Sequence, residues 1–339
     1  VRTAVVILNW NGRNFLRKFL PSVIEHNPPD VRIIVADNAS HDDSVEMLRR
    51  EFPQVEIIQN KSNGGFAKGY NDALAQIEAD YYILLNSDIE VTSGWIEPVI
   101  NLMESDKSIV ACQPVIRSFQ SKELFEYAGA AGGFIDEFGY PFCRGRLFQQ
   151  IEVDLGQYDD IREVFWATGA CLFVRADLFR NNGGFDEDFF AHMEEIDFCW
   201  RMKHLGYKIM VCPQSKVYHV GGGTLPKKSS FKTYLNMRNN ITLLYKNLPA
   251  ERLKFVFFSR LVLDGVAAFK FLIDGGFGDF WAVIRAHMSF YRNFSKHKYK
   301  RALIHHRHVS QVYQGNIVID YFLKGVKNFS RIPEDKFTK

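Results

Sequence analysis

Over the first 105 residues, short apolar runs alternate with stretches in which apolar positions recur every three or four residues. The runs at 4–8, 31–36, 55–59 and 81–85 predict strands, and the periodic stretches at 15–26, 44–52, 67–77 and 95–105 predict helices. The run Tyr81-Tyr82-Ile83-Leu84-Leu85 has no polar alternation, which suits a strand covered on both faces. Strand and helix in strict turn imply a parallel sheet with helices on both sides. Asn11-Gly12, Pro28-Pro29-Asp30 and Asn63-Gly64-Gly65 punctuate the elements as turns.

Beyond residue 105 the rhythm changes. Residues 109–116 and 165–174 read as strands, and 208–213 and 216–220 as two short ones. The stretch 118–160 is rich in Gly and aromatic residues and reads as a hairpin or long loop near a site. A helix is expected from Asp177 and an acidic one over 194–205. From Ser229 onward the pattern is mainly helical, with apolar faces over 254–273 and 280–294 split by Gly275-Gly276. The expected fold class is α/β: a Rossmann-like mixed sheet flanked by helices, with a C-terminal helical extension. The expected division is 1–245, in halves 1–105 and 106–245, followed by a unit at 246–339.

Composition narrows the function. At 339 residues and a net charge of +3 the chain can form a large core, and it is not basic enough for a nucleic-acid binder. Residues 280–319 contain no Asp or Glu but seven Lys or Arg and five His. That asymmetry, beside aromatic stripes, fits helices lying on an anionic membrane surface; a packed subdomain or a homodimer interface is the alternative. The five cysteines lack CxxC spacing, which argues against a zinc site and for a reducing compartment. The chain opens on a strand, so no signal peptide is expected, and no apolar stretch is long enough to span a bilayer.

The candidate chemistry sits where runs end. Asn86-Ser87-Asp88 follows the fourth strand, where α/β sheets bind ligands, and Asp88 suits a hard divalent cation; a cap for a helix starting near Ser93 is the alternative. Asp37-Asn38-Ala39-Ser40 ends the second strand and can bind a base or ribose, or form a turn. Asn63-Gly64-Gly65-Phe66-Ala67-Lys68 enters a helix whose first backbone N–H groups suit phosphate; it is neither a P-loop nor GxGxxG. Glu194, Glu195 and Asp197 crowd one helical turn, where repulsion can leave one of them as a general base, a solvated acidic first turn favoured by the helix dipole being the alternative; Asp197 and Arg201 are spaced as an i,i+4 pair. His219 precedes Val220-Gly221-Gly222-Gly223-Thr224, which suggests a mobile loop or close backbone approach to a ligand.

In this order, these segments resemble the family 2 inverting glycosyltransferases of GT-A fold, and most of all the rhamnosyltransferase-type members that build bacterial surface polysaccharide. The resemblance spans about two-thirds of the chain and rests on Leu8-Asn9-Trp10-Asn11-Gly12, 37–40, 63–71, 85–88, Thr168-Gly169-Ala170, Gly184-Phe185-Asp186-Glu187, 194–197 and His219. It implies that Asp37 meets the nucleotide base, with Asn9 and Asn38 beside it. Gly65, Lys68 and Asn71 would line the nucleoside and sugar-phosphate pocket. Asn86-Ser87-Asp88 takes the D-x-D position, with Asp88 and His219 on a divalent cation, Mg or Mn. Trp166, Thr168 and Gly169 would shape the acceptor side, and Glu195 would be the base. Asn86 stands where the motif's first Asp would be, and Glu195 where an Asp is usual. The implied reaction moves a sugar from a nucleoside-diphosphate sugar to a glycan or polyprenyl-diphosphate-linked acceptor, at the cytoplasmic face of the plasma membrane. A non-catalytic scaffold and a nucleotidyltransferase are the rival readings.

Overall fold

The computed structural model describes residues 1–221 and 229–339. The first half alternates as expected: β1 (Thr3–Asn9), α1 (Arg13–Glu25), β2 (Arg32–Asp37), α2 (Ser44–Glu51), β3 (Glu56–Gln59), α3 (Gly65–Leu74) and β4 (Tyr81–Asn86). The unbroken apolar runs have a direct cause. Ala4 and Val6 enter one core while Val5 and Ile7 enter another, and Tyr82 and Leu84 part from Tyr81, Ile83 and Leu85 in the same way. Each strand therefore faces a helix layer on both sides, and neither side tolerates a polar residue.

The second half adds β5 (Ile89–Glu90), α4 (Glu97–Ser105), β6 (Ile109–Ser118), β7 (Gly133–Asp136), β8 (Pro141–Cys143), β9 (Arg146–Leu147), β10 (Gln150–Ile151), β11 (Arg162–Val164), β12 (Cys171–Arg175), α5 (Ala176–Asn181), α6 (Glu194–His204) and β13 (Lys208–His219). The main sheet runs β11-β13-β6-β12-β4-β1-β2-β3, with β5 paired to β13. β1, β2, β3 and β4 are mutually parallel, and β12 is antiparallel to both β4 and β6. β13 runs parallel to β6. The carboxyl ends of β1, β2, β4 and β13 and the amino end of β12 therefore share one edge of the sheet.

Three expectations change. The two short strands expected at 208–220 are one strand, β13, with a bulge: Cys212 faces Pro114 and Lys216 faces Val115. Residues 213–215 loop out, and the buried Ser215 hydroxyl donates to the Trp95 carbonyl at 2.5 Å. The region expected as a hairpin or long loop at 118–160 builds a second sheet, β10-β9-β8-β7, completed by β14 (Val312–Tyr313) from the far end of the chain. The third is the boundary at 245/246.

That boundary falls inside α7 (Ser230–Asn247), which is followed by α8 (Ala250–Ile273), α9 (Phe277–Arg292), α10 (Phe294–Ala302), and then α11 (Ile317–Phe322) after β14. Val256, Tyr313, Ile317, Phe329 and Phe337 belong to the same buried cluster as Phe134 and Phe142 of the second sheet. The last thirty residues thus close the core around the second sheet. All five cysteines are buried and free, as small core residues.

Candidate active site

The strand register gathers the sequence motifs. Asn9 lies opposite Asp37, and Leu8 opposite Asn86, at the carboxyl ends of β1, β2 and β4. Asp37 is 2% exposed and accepts from the Asn9 amide at 3.0 Å and the Ser40 N–H at 3.0 Å. Asn38 donates to Asn63 Oδ1 (2.9 Å) and to the Gly65 carbonyl (3.1 Å), so it ties β2 to the start of α3. The Asn9 Oδ1 is buried without a hydrogen-bond partner.

The start of α3 does not offer free amides to phosphate. The N–H groups of Phe66 and Ala67 donate to the Phe190 carbonyl at 2.6 and 3.2 Å. Phe190 is left-handed at φ 64°, which turns that carbonyl back onto the helix, and Gly65 (φ 82°) has no room for a Cβ beside it. Lys68 pairs with Asp72 (2.8 Å), with Glu187 at 3.9 Å. Asn71 exchanges hydrogen bonds with the Phe185 backbone at 2.9 and 3.0 Å. All three expected pocket residues therefore fasten α3 to the 185–190 loop.

Asp88 caps no helix. The helix after it starts at Glu97, and the Asp88 carboxylate instead meets His219 Nε2 at 3.1 Å. The pairing of His219 with Ile89, between β13 and β5, makes this contact. On the other side, His219 Nδ1 lies 3.4 Å from Glu126 Oε2, and the Asn86 amide is 3.4 Å from Nε2. Burial alone would lower the His219 pKa, but the hydrogen bond to Asp88 and the Glu126 carboxylate beside Nδ1 outweigh it and raise it to about 10. Burial pushes the Asp88 and Glu126 carboxyls up, and His219 more than reverses this, leaving both lowered. Glu126 carries no motif; its only sequence signal is its place in the Gly- and aromatic-rich stretch. The Gly222-Gly223-Thr224 part of the expected loop lies outside the described residues.

A divalent cation fits this corner in part. The donors are a carboxylate oxygen, which suits Mn or Mg, and an imidazole nitrogen that can ligate only after giving up the proton its raised pKa holds. Among the described residues no three His, Cys, Asp or Glu groups form a metal-holding cluster. The residues that would hold it are Asp88 and His219.

The motif expected on the acceptor side reaches the same edge from β12. The Asn86 N–H donates to the Ala170 carbonyl at 2.9 Å, so Thr168-Gly169-Ala170 lies beside Asn86. The Thr168 N–H donates to Gln113 Oε1 at 2.9 Å, and the Trp166 indole to the Phe134 carbonyl at 2.9 Å. Trp166 is 5% exposed and packs over Gly133, as a wall of the second sheet.

Glu195 lies beside this motif, its Cβ 3.9 Å from where a Gly169 Cβ would be. Its Oε2 is buried without a hydrogen-bond partner. Burial raises its pKa to about 7, although backbone amides, including those of Ile196 and Gly169, pull the other way. Glu194 is 4% exposed, and burial with the neighbouring Glu195 charge raises its pKa well above the usual carboxylate range.

Asp197 stands apart from these two. It is fully buried and bound by Arg201 Nε (2.9 Å), Lys246 Nζ (2.8 Å) and the Asn247 amide (2.9 Å). Lys246 also reaches Asp186 at 2.5 Å. With both oxygens committed and no exposure, Asp197 is structural rather than a base: it forms the i,i+4 pair that its spacing predicts.

The mixed α/β sheet flanked by helices is of the GT-A type. Residues 4–160 match glycosyl transferase family 2. The N-acetylglucosaminyl-diphospho-decaprenol L-rhamnosyltransferase of Mycobacterium tuberculosis is 25% identical over 234 residues, 63% of this chain and 75% of that protein. Rhamnosyltransferase WbbL of Escherichia coli is 23% identical over 224 residues, 63% of this chain and 82% of that protein. The crystal structure of GalNAc-T7 with UDP, GalNAc and Mn2+ superposes with a TM-score of 0.58 at 17% identity, over 74% of this chain and 48% of that one. The chain is thus similar to family 2 glycosyltransferases over residues 4–160, and rhamnosyltransferases are among its relatives in sequence.

Proposed function

We propose that the chain is an inverting transferase that moves a hexosyl or deoxyhexosyl group from a nucleoside-diphosphate sugar to a hydroxyl of a lipid-linked or glycan acceptor in surface polysaccharide synthesis. The observation that carries this is one sheet edge holding both the Asp88–His219 pair and the buried, unpartnered Glu195 oxygen. The acceptor oxygen attacks the anomeric carbon, its proton passes to Glu195, and the bond to the diphosphate breaks with its electron pair on the leaving oxygen. Asp88 and His219 would hold a divalent cation, which would neutralise charge on the leaving diphosphate. Asn9 and Asp37 form the floor on which the base rests. Trp166, Thr168 and Gly169 shape the acceptor side, and the Mycobacterium tuberculosis relative, named for a diphospho-decaprenol acceptor, supports a polyprenyl-linked one.

Metal dependence is tested without turnover. Uridine or deoxythymidine diphosphate raises the melting temperature in the presence of Mn²⁺ or Mg²⁺ and much less in EDTA. In Asp88→Ala that metal-dependent increment disappears. Equal shifts with and without metal, or an unchanged increment in Asp88→Ala, contradict the assignment.

The C-terminal helices supply the setting. Among the described residues no helix is long and apolar enough to cross a membrane. On α8, Phe255, Phe258, Val262, Val266, Phe269 and Ile273 recur every three or four residues and are each more than half exposed. The opposite face is buried through Arg260 and Asp264, which pair at 3.0 Å, with His287 of α9 at 3.2 Å from Asp264. An exposed Phe-rich stripe flanked by Lys254 and Lys270 fits an anionic bilayer surface at the cytoplasmic face. The full chain floats with phosphatidylglycerol vesicles but not phosphatidylcholine vesicles, and Phe258→Glu with Phe269→Glu abolishes flotation. Failure of the unmodified chain to float overturns this, and a dimer lost in the double variant assigns the stripe to a second copy. Truncation at 245 is no substitute, because it cuts α7 and removes β14 from the second sheet.

A further inference from the structure

The five residues before α6 have an unusual backbone. Phe190, His192 and Met193 have φ values of 64°, 70° and 74°, in the left-handed region that side chains other than Gly and Asn rarely enter. Three such residues in four are strained, and they persist only where the surroundings over-determine them. No side chain caps the start of α6.

Every carbonyl from 188 to 193 has a partner, and most of them come from one turn of α7. Arg238 Nη2 donates to the Asp188 and Phe189 carbonyls at 2.9 and 2.8 Å. The Asn239 amide nitrogen reaches the carbonyls of Phe189 (2.9 Å), Ala191 (2.8 Å) and His192 (2.7 Å). Phe190 accepts from Phe66 and Ala67, and Met193 from the Asp197 N–H at 2.9 Å. Asn239 is 1% exposed, and its Oδ1 accepts from Arg238 at 2.9 and 2.7 Å, which aims the NH₂ at the loop.

The geometry points to Asn239 as a positioning residue for the transfer: its one amide gathers the strained 189–193 loop and so sets where α6 presents Glu195 against Gly169. This rests on Glu195 being the base. Asn239 touches neither substrate nor the reacting atoms, and it acts through the backbone. An aspartate there has the same shape but sets carboxylate oxygens against three carbonyls.

Asn239→Asp therefore lowers kcat by about 10²-fold, the usual consequence of a reacting group displaced by about 1 Å, and leaves the donor KM within about threefold. Asn239→Gln, which keeps the amide, recovers part of the loss. Amide hydrogen exchange over 190–197 rises in both variants. Asn239→Asp folding with unchanged kcat overturns the assignment, and so does a Gln variant as impaired as the Asp variant with donor binding lost in both. If Asn239→Asp does not fold, Asn239→Gln decides alone: unchanged exchange and unchanged kcat refute the role. Glu195→Gln, measured alongside, separates the premises, because a Glu195→Gln enzyme that still turns over refutes the base whatever Asn239 does.

Discussion

Glu195→Gln lowers turnover by about 10²–10⁴-fold, the range a positioned general base contributes, and leaves nucleoside-diphosphate binding intact. The amide keeps the shape and can still meet the Gly169 backbone, but it cannot take a proton. In the unmodified enzyme kcat/KM falls as pH drops through about 7, because burial raises the Glu195 pKa to about 7 and the base must be ionised. The same shift acts on stability. The folded state holds this proton more tightly than the unfolded chain, so Glu195's contribution falls as pH rises from about 4.5 to about 7. Stopped assays across pH 5–9 and calorimetric titration with the nucleoside diphosphate measure both. An acid limb that persists in a slow but active Glu195→Gln enzyme would move the base to Glu194.

Lys246→Met gives the largest stability loss. Lys246 is 3% exposed in its side chain and neutralises both Asp186 and Asp197, which are themselves nearly or fully buried. Removing one partner of a buried ion network costs about 3–5 kcal/mol. Burial would raise both carboxyls, but Lys246, with Lys300 at Asp186 and Arg201 at Asp197, holds them below the ordinary range. Depressed carboxyls stabilise above their unfolded pKa of about 3.9, and the gain is lost as pH falls through the lower folded values. The deficit of Lys246→Met in urea unfolding is therefore full at pH 7 and shrinks below pH 4. Activity falls with it, because Asp197 is on the helix that carries Glu195.

The parallel half was legible because its strands are buried on two faces, so β1 and β4 are apolar without interruption and stop at Asn9 and Asn86. Motifs at strand ends then fall on one edge by topology alone, which is why the sequence could bring Asp37, Asp88 and His219 to one edge. The second sheet was not legible. Its strands are two to four residues long, and β14 joins it from about 180 residues away, a pairing that leaves no local pattern. Glu126 and Asn239 were invisible for a related reason: each matters through one tertiary contact, with His219 and with the 189–193 loop. The α3 start misled because its glycines suit either an anion or a carbonyl at the helix N-terminus, and here the Phe190 carbonyl takes the place.

Product stereochemistry tests the central proposal. Incubated with Mn²⁺, an α-linked or β-linked nucleoside-diphosphate sugar of known configuration and a polyprenyl-diphosphate acceptor, the enzyme releases nucleoside diphosphate. Proton NMR shows the opposite anomeric configuration in the product. Release of inorganic diphosphate, or retention of the donor's configuration, would contradict a single displacement driven by Glu195.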